Sequence, residues 1–149
     1  MLRLAVILFC VLACSPACAQ AIVKLWDPAY VSVRPGASVE VMVIAEVRAG
    51  YVVIAHEAED KTLQPLTLRF SAPRQTVVGT PGVVVGTPRY PPGQETRVDA
   101  DQRKVLAHGG TLQIAVPVSV SKQAAPGELT LQGELRYQAC VELRCSATR

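Results

Sequence analysis

Two cysteines stand close together near the end of the chain, in Tyr137-Gln138-Ala139-Cys140-Val141-Glu142-Leu143-Arg144-Cys145. A nearby pair of thiols supports three chemistries: reversible thiol–disulfide exchange, an inert covalent staple, or capture of copper or another soft metal by two thiolates. Four intervening residues suffice for a tight hairpin. Directly opposed strand positions hold their Cβ atoms about 4.5–5.5 Å apart, close to what a disulfide requires. As a staple the bond is weak. The chain-entropy model assigns about 2 kcal/mol to so small a loop, against about 5 kcal/mol for a loop of about 100 residues. Opening it therefore costs the fold little, which favours exchange while leaving the staple and metal readings standing. Exchange needs a thiolate, and the neighbouring charges are mixed. Arg136, Arg144 and Arg149 favour one, and Glu142 opposes it.

The redox compartment follows from the other end of the chain. Residues 1–19 carry one charge, Arg3, followed by an apolar run over 4–13 and the small residues Ser15-Pro16-Ala17-Cys18-Ala19. This pattern is that of a secretory signal peptide with cleavage after Ala19. The run is shorter than the ~20 apolar residues that span a bilayer. Lipid attachment at Cys14, after Val11-Leu12-Ala13, is the alternative, with Leu12 out of place in that pattern. Cys10, Cys14 and Cys18 leave with the leader, so Cys140 and Cys145 are the cysteines of the expected mature domain, 20–149. An exported protein meets an oxidising compartment, where such a pair closes.

The elements that position the pair are strands. In Val39-Glu40-Val41-Met42-Val43-Ile44-Ala45-Glu46-Val47 every odd position is apolar. Leu112, Ile114, Val116, Val118 and Val120 alternate with Thr111, Gln113, Ala115, Pro117 and Ser119. Shorter alternations run through Leu66, Leu68 and Phe70, and through Leu129, Leu131, Leu135, Tyr137 and Ala139. Period two marks strands with one buried face. Turn signals at Arg34-Pro35-Gly36, Ala49-Gly50, Pro91-Pro92-Gly93, His108-Gly109-Gly110 and Pro126-Gly127 separate them. The expectation is an all-β chain, an immunoglobulin-like antiparallel β-sandwich. Pro117 lacks an N–H, so its strand is expected at an edge or bulged there. Val77-Val78-Gly79-Thr80-Pro81 recurs as Val84-Val85-Gly86-Thr87-Pro88, too close for a solenoid repeat. Residues 88–102 are expected to form a long loop at one end of the sandwich.

Composition narrows the function classes. The 149 residues are 50% hydrophobic and 18% charged, with net charge +3. That excludes a disordered chain, and the lack of a Lys/Arg run leaves nucleic acid no electrostatic footprint. No phosphate loop or Ser-His-Asp arrangement can be assembled, and no cofactor is expected. His56 and His108 are read as strand-end and turn residues, because no spacing links them to each other or to the cysteines. Trp26 and Tyr30 are read as core packing or a strand-end anchor, with a binding patch as the alternative. Glu57, Glu59, Asp60 and Lys61 are read as a solvated turn.

The cysteine motif with its Tyr137-Gln138 lead resembles that of the N-terminal domain of the thiol:disulfide interchange protein DsbD, the disulfide bond corrector family. Weaker parallels lie at Arg34-Pro35-Gly36, Gly50-Tyr51, Gln64-Pro65-Leu66-Thr67-Leu68, Pro88-Arg89-Tyr90-Pro91-Pro92-Gly93 and Pro126-Gly127, so the likeness covers about 31–145. The resemblance implies a periplasmic redox module whose Cys140 and Cys145 accept electrons from a thioredoxin-like domain of a membrane electron carrier. It implies delivery of those electrons to oxidised periplasmic proteins. It also implies a cap loop over the disulfide, with Tyr90 as the lid residue. The chain departs from the family in three respects. Ser146-Ala147-Thr148-Arg149 replaces the family's Leu-Pro-Pro and final strand, so the sandwich is expected to lack its last strand. Val52 follows Tyr51 where relatives often have His. The sequence shows no membrane-spanning or thioredoxin-like part after the cysteines, so the electron donor is expected to be a separate protein. The alternative reading is a non-catalytic binding or scaffolding module with an inert disulfide.

Overall fold

Alternating apolar positions become eleven strands in a computed structural model that describes residues 21–26, 30–70, 82–98, 100–128, 130–142 and 144–146. The expected leader with Cys14, the Val77–Pro81 copy of the repeat, Leu129, Leu143 and Arg149 lie outside the described residues. The strands are β1 (Val23–Leu25), β2 (Ser38–Val47), β3 (Tyr51–Ile54), β4 (Thr67–Phe70), β5 (Val83–Val85) and β6 (Gln94–Val98). They continue with β7 (Arg103–His108), β8 (Thr111–Val120), β9 (Gly133–Arg136), β10 (Ala139–Val141) and β11 (Arg144–Cys145). One sheet has the order β1-β2-β8-β5, the second β11-β10-β3-β7-β6, and β4 and β9 form a ribbon. All pairings are antiparallel. The chain is an all-β, immunoglobulin-like sandwich. No helix among the described residues is long and apolar enough to cross a membrane.

The long β2–β8 pair forms the spine. Its register sets Val41 opposite Val116 and Ala45 opposite Leu112, so one face of both strands is apolar throughout. That face packs with Val53, Ala139, Leu66 and Leu68 into the main core. Two glycine turns hand the chain from one sheet to the other. Gly50 (φ +83°) lies between β2 and β3, and Gly110 (φ +67°) between β7 and β8. Both occupy the left-handed region, where a Cβ is unfavourable.

Pro117 illustrates how a proline survives in an inner strand. Its strand β8 lies between β2 and β5 and is no edge. Residues 85 and 118 are paired, and Gly86 donates its N–H to the Pro117 carbonyl (2.7 Å). Arg89 then pairs with Ala115, one residue out of that register. The missing Pro117 N–H therefore falls where the neighbouring segment bulges. A Cβ on Gly86 would lie 2.7 Å from the Pro117 ring, so the glycine is required by close approach.

Two expectations change. Residues 88–102 are not a long loop, because 94–98 form β6, paired with β7 along its whole length. Only Val98 of that strand is buried. An edge strand tolerates polar side chains on both faces, and this hides it from pattern reading. Trp26 and Tyr30 do not join the core. The Trp26 N–H prolongs β1 by donating to Ile44, but its side chain is 54% exposed and Tyr30 is 100% exposed. Trp26 directly follows a three-residue strand at the edge of its sheet.

Candidate functional site: a disulfide at the edge of the five-stranded sheet

The hairpin β10–β11 carries the site. Its register sets Cys140 opposite Cys145 and Val141 opposite Arg144, and the two sulfurs are bonded. A two-residue connection closes it, and its first residue, Glu142, has φ +44°. Such positive φ values are what two-residue hairpins demand for their twist to match that of the strands. The bond joins Cα atoms 4.0 Å apart.

Ladder geometry gives the two cysteines different roles. Ser146 donates its N–H to the Ala139 carbonyl (2.7 Å), which makes 139/146 a hydrogen-bonded pair. Opposed pairs alternate, so Cys140/Cys145 is the non-hydrogen-bonded kind, with closely spaced side chains. On the other side of β10, Ile54 donates to the Gln138 carbonyl (3.1 Å) and Cys140 faces Val52. By the same alternation the Cys140 backbone is committed to β3. The N–H and C=O of Cys145 point away from β10, toward the edge of the sheet.

The disulfide lies on the sheet face that turns away from β2 and β8. Tyr51, Val53 and Ala139 pack into the main core, while Val52, Ile54, Cys140 and Cys145 alternate onto the opposite face. There they form a second cluster with Val98 and Val105. The segment 55–66 crosses this face and contributes Ala58 and Leu63. Cys140 is 2% exposed as a result, and Cys145 at the edge is only half-buried.

Three contacts pin the covering segment. Asp60 accepts from the backbone and hydroxyl of Thr62 (2.9 and 2.6 Å) and pairs with Arg103 of β7. These hydrogen bonds, with the Arg103 guanidinium, hold its carboxyl below the ordinary value. Glu57 accepts from the Gly93 N–H (2.6 Å). Burial raises the Glu57 pKa, but that bond, its own backbone N–H and the imidazoles of His108 and His56 bring it below the ordinary value. At the site itself, the Gln138 side chain accepts from the Gln64 N–H (2.9 Å) and donates to the Ser146 carbonyl (3.0 Å). One side chain thus ties the cover to the strand bearing Cys145.

The remaining candidates are placed elsewhere. The Tyr90 hydroxyl accepts from the Leu68 N–H (2.8 Å), and its ring stacks on His56 at 4.0 Å between centroids. His56 follows the end of β3, whereas Cys140 is registered with Val52 near its beginning. The segment that packs with the disulfide is 55–66, not the one around Tyr90. The Nδ1 of His56 donates to the Leu66 carbonyl (2.9 Å), a strand-end role. His108 is the last residue of β7 and is buried. Its Nε2 has no hydrogen-bond partner among the described residues, and burial pushes its pKa down against the opposing pull of Glu57. The arginines are not gathered around the sulfurs. Arg136 bonds Glu134 at 3.0 Å, and Arg144 alternates to the face opposite Cys145. Among the described residues no group of three or more His, Cys, Asp or Glu side chains could hold a metal.

Sequence reasoning missed the part of Gln138, whose side chain joins the Gln64 backbone N–H to the Ser146 carbonyl beside the disulfide. The available signal was the Gln138 lead of the cysteine motif. No protein-family model matches the chain, and no curated protein is significantly similar to it.

Proposed function

We propose that this protein is an exported, periplasmic thiol–disulfide exchange module that works through Cys140 and Cys145. The observation that carries the reading is the asymmetry of the bond. One sulfur is packed against the sheet, and the other sits on an edge strand, half-buried, in a hairpin that keeps the pair together when the bond opens. The resemblance at 137–145 agrees with it.

The donor is a protein dithiol, of the thioredoxin-like kind carried by a membrane electron carrier. One of its thiols, as the thiolate, attacks the Cys145 sulfur. A sulfur–sulfur bond forms to the donor, the Cys140–Cys145 bond breaks, and its electron pair leaves on the Cys140 sulfur, which takes a proton from water. The second donor thiol, deprotonated, then attacks the donor's own sulfur in the mixed disulfide and releases Cys145 as a thiolate, which takes up the second proton from water. Two electrons and two protons have moved, and the donor ends as a disulfide. The reverse sequence, against an oxidised periplasmic protein, regenerates the Cys140–Cys145 bond.

The test is covalent trapping. In Cys140→Ala the thiol that resolves the mixed disulfide is missing, so Cys145 accumulates a mixed disulfide with an oxidised acceptor. Cys145→Ala, whose remaining thiol is buried, traps far less. If neither variant traps a partner, the reading is wrong. The rival reading, a binding module with an inert bond, draws on the burial of Cys140. It requires a reduction potential below about −300 mV.

A further inference from the structure

We infer that partners dock on the outer edge of β11 by adding an antiparallel strand whose cysteine lies directly opposite Cys145. This inference rests on the exchange reading and names how its partner is recognised. β11 ends its sheet, and among the described residues no strand pairs with its outer side. The alternation fixed by the Ser146–Ala139 hydrogen bond turns the Cys145 N–H and C=O toward that side. An extended segment can therefore exchange two backbone hydrogen bonds with Cys145 itself, the recognition mode of strand addition.

The register then does chemical work. Opposed residues project to the same face of a sheet, with Cβ atoms about 4.5–5.5 Å apart. A cysteine opposite Cys145 would hold its sulfur beside the Cys145 sulfur, on the face that bears the disulfide. Cys140, Cys145 and the incoming cysteine would then occupy three neighbouring strands in one row across the sheet. Displacement at sulfur proceeds in line, with the attacking and leaving atoms on opposite sides of the atom attacked. The row supplies that order: incoming sulfur, Cys145, then Cys140 as the leaving group. The occupant is thus an extended segment with a cysteine thiol and a free N–H on that same cysteine.

Two synthetic peptides test this on the oxidised full chain: acetyl-Thr-Val-Cys-Val-Thr-amide and the same peptide with N-methylcysteine. Methylation removes the donor to the Cys145 carbonyl and leaves the thiol. Both are first calibrated on oxidised glutathione, which has no sheet edge. Relative to that calibration, the unmodified peptide should open the Cys140–Cys145 bond about tenfold faster, the contribution of one or two exposed hydrogen bonds. Mass spectrometry should find it attached to Cys145. Equal calibrated rates, or attachment at Cys140, overturn the docking mode while leaving exchange intact. If neither peptide nor dithiothreitol opens the bond, the exchange reading itself fails.

Discussion

Replacing Gln138 by Leu removes a side chain that bonds both the covering segment and the strand of Cys145. Two part-buried hydrogen bonds disappear, to the Gln64 N–H and the Ser146 carbonyl. At about 0.5–1.5 kcal/mol each, the loss is about 1–3 kcal/mol. Both bonds hold groups that flank the disulfide, so the loss falls on local opening as well as on global stability. If attack on sulfur proceeds through that opening, reduction by dithiothreitol should accelerate about 5- to 140-fold, at tenfold per 1.4 kcal/mol. The assay is pseudo-first-order reduction followed by thiol labelling, beside a urea melt. Two controls separate this from a general softening. Gln64→Ala keeps the backbone N–H that Gln138 accepts, so it should change the rate little. Gln138→Glu keeps an acceptor for Gln64 but sets a carboxylate against the Ser146 carbonyl, and should fall in between. A Gln138→Leu protein that is reduced at the parent rate and melts at the parent urea concentration would refute the reasoning.

Other outcomes follow from individual positions. Glu142 holds φ +44°, a region costing an L-residue about 1–2 kcal/mol, so Glu142→Gly should stabilise the reduced protein by up to about 1 kcal/mol in urea titration. Burial holds the His108 pKa below its ordinary 6.5, so the unfolded chain binds the proton first. Stability should therefore be full above pH 6.5 and fall as pH drops through that value toward the lower folded pKa; His108→Leu should flatten that part of a stability-against-pH curve. Ile54→Ala empties a fully buried site in the cluster under the disulfide and should cost about 2–5 kcal/mol in chemical denaturation.

The spine of the fold was legible because period two is a physical consequence of strand geometry. Val41, Val43 and Ala45 on β2, and Leu112, Ile114 and Val116 on β8, point inward as their alternation requires. The disulfide was legible for a similar reason: four residues between two cysteines closing a strand leave room for a short hairpin. Pro117 could be read only as edge or bulge, since the sequence shows the missing donor but not the neighbour's register. The second apolar cluster was hidden. Glu57, Glu59, Asp60 and Lys61 look like a solvated turn, and their charges do sit near the surface, yet Ala58 and Leu63 among them cover the sheet. Two apolar residues five apart on an irregular segment have no period to detect. Gln138 escaped because a polar side chain reveals its partners only once the backbone places Gln64 and Ser146 beside it. The family resemblance implied Tyr90 as a lid, a role that local sequence does not reveal; its ring and hydroxyl are engaged by His56 and Leu68.

The most direct measurement of the central claim is the equilibrium reduction potential of the Cys140–Cys145 pair against a glutathione buffer. A bond that relays electrons should fall between about −120 and −270 mV, where exchange-active dithiols lie. A value below about −300 mV would mark a bond the glutathione pool cannot open, and would contradict the account.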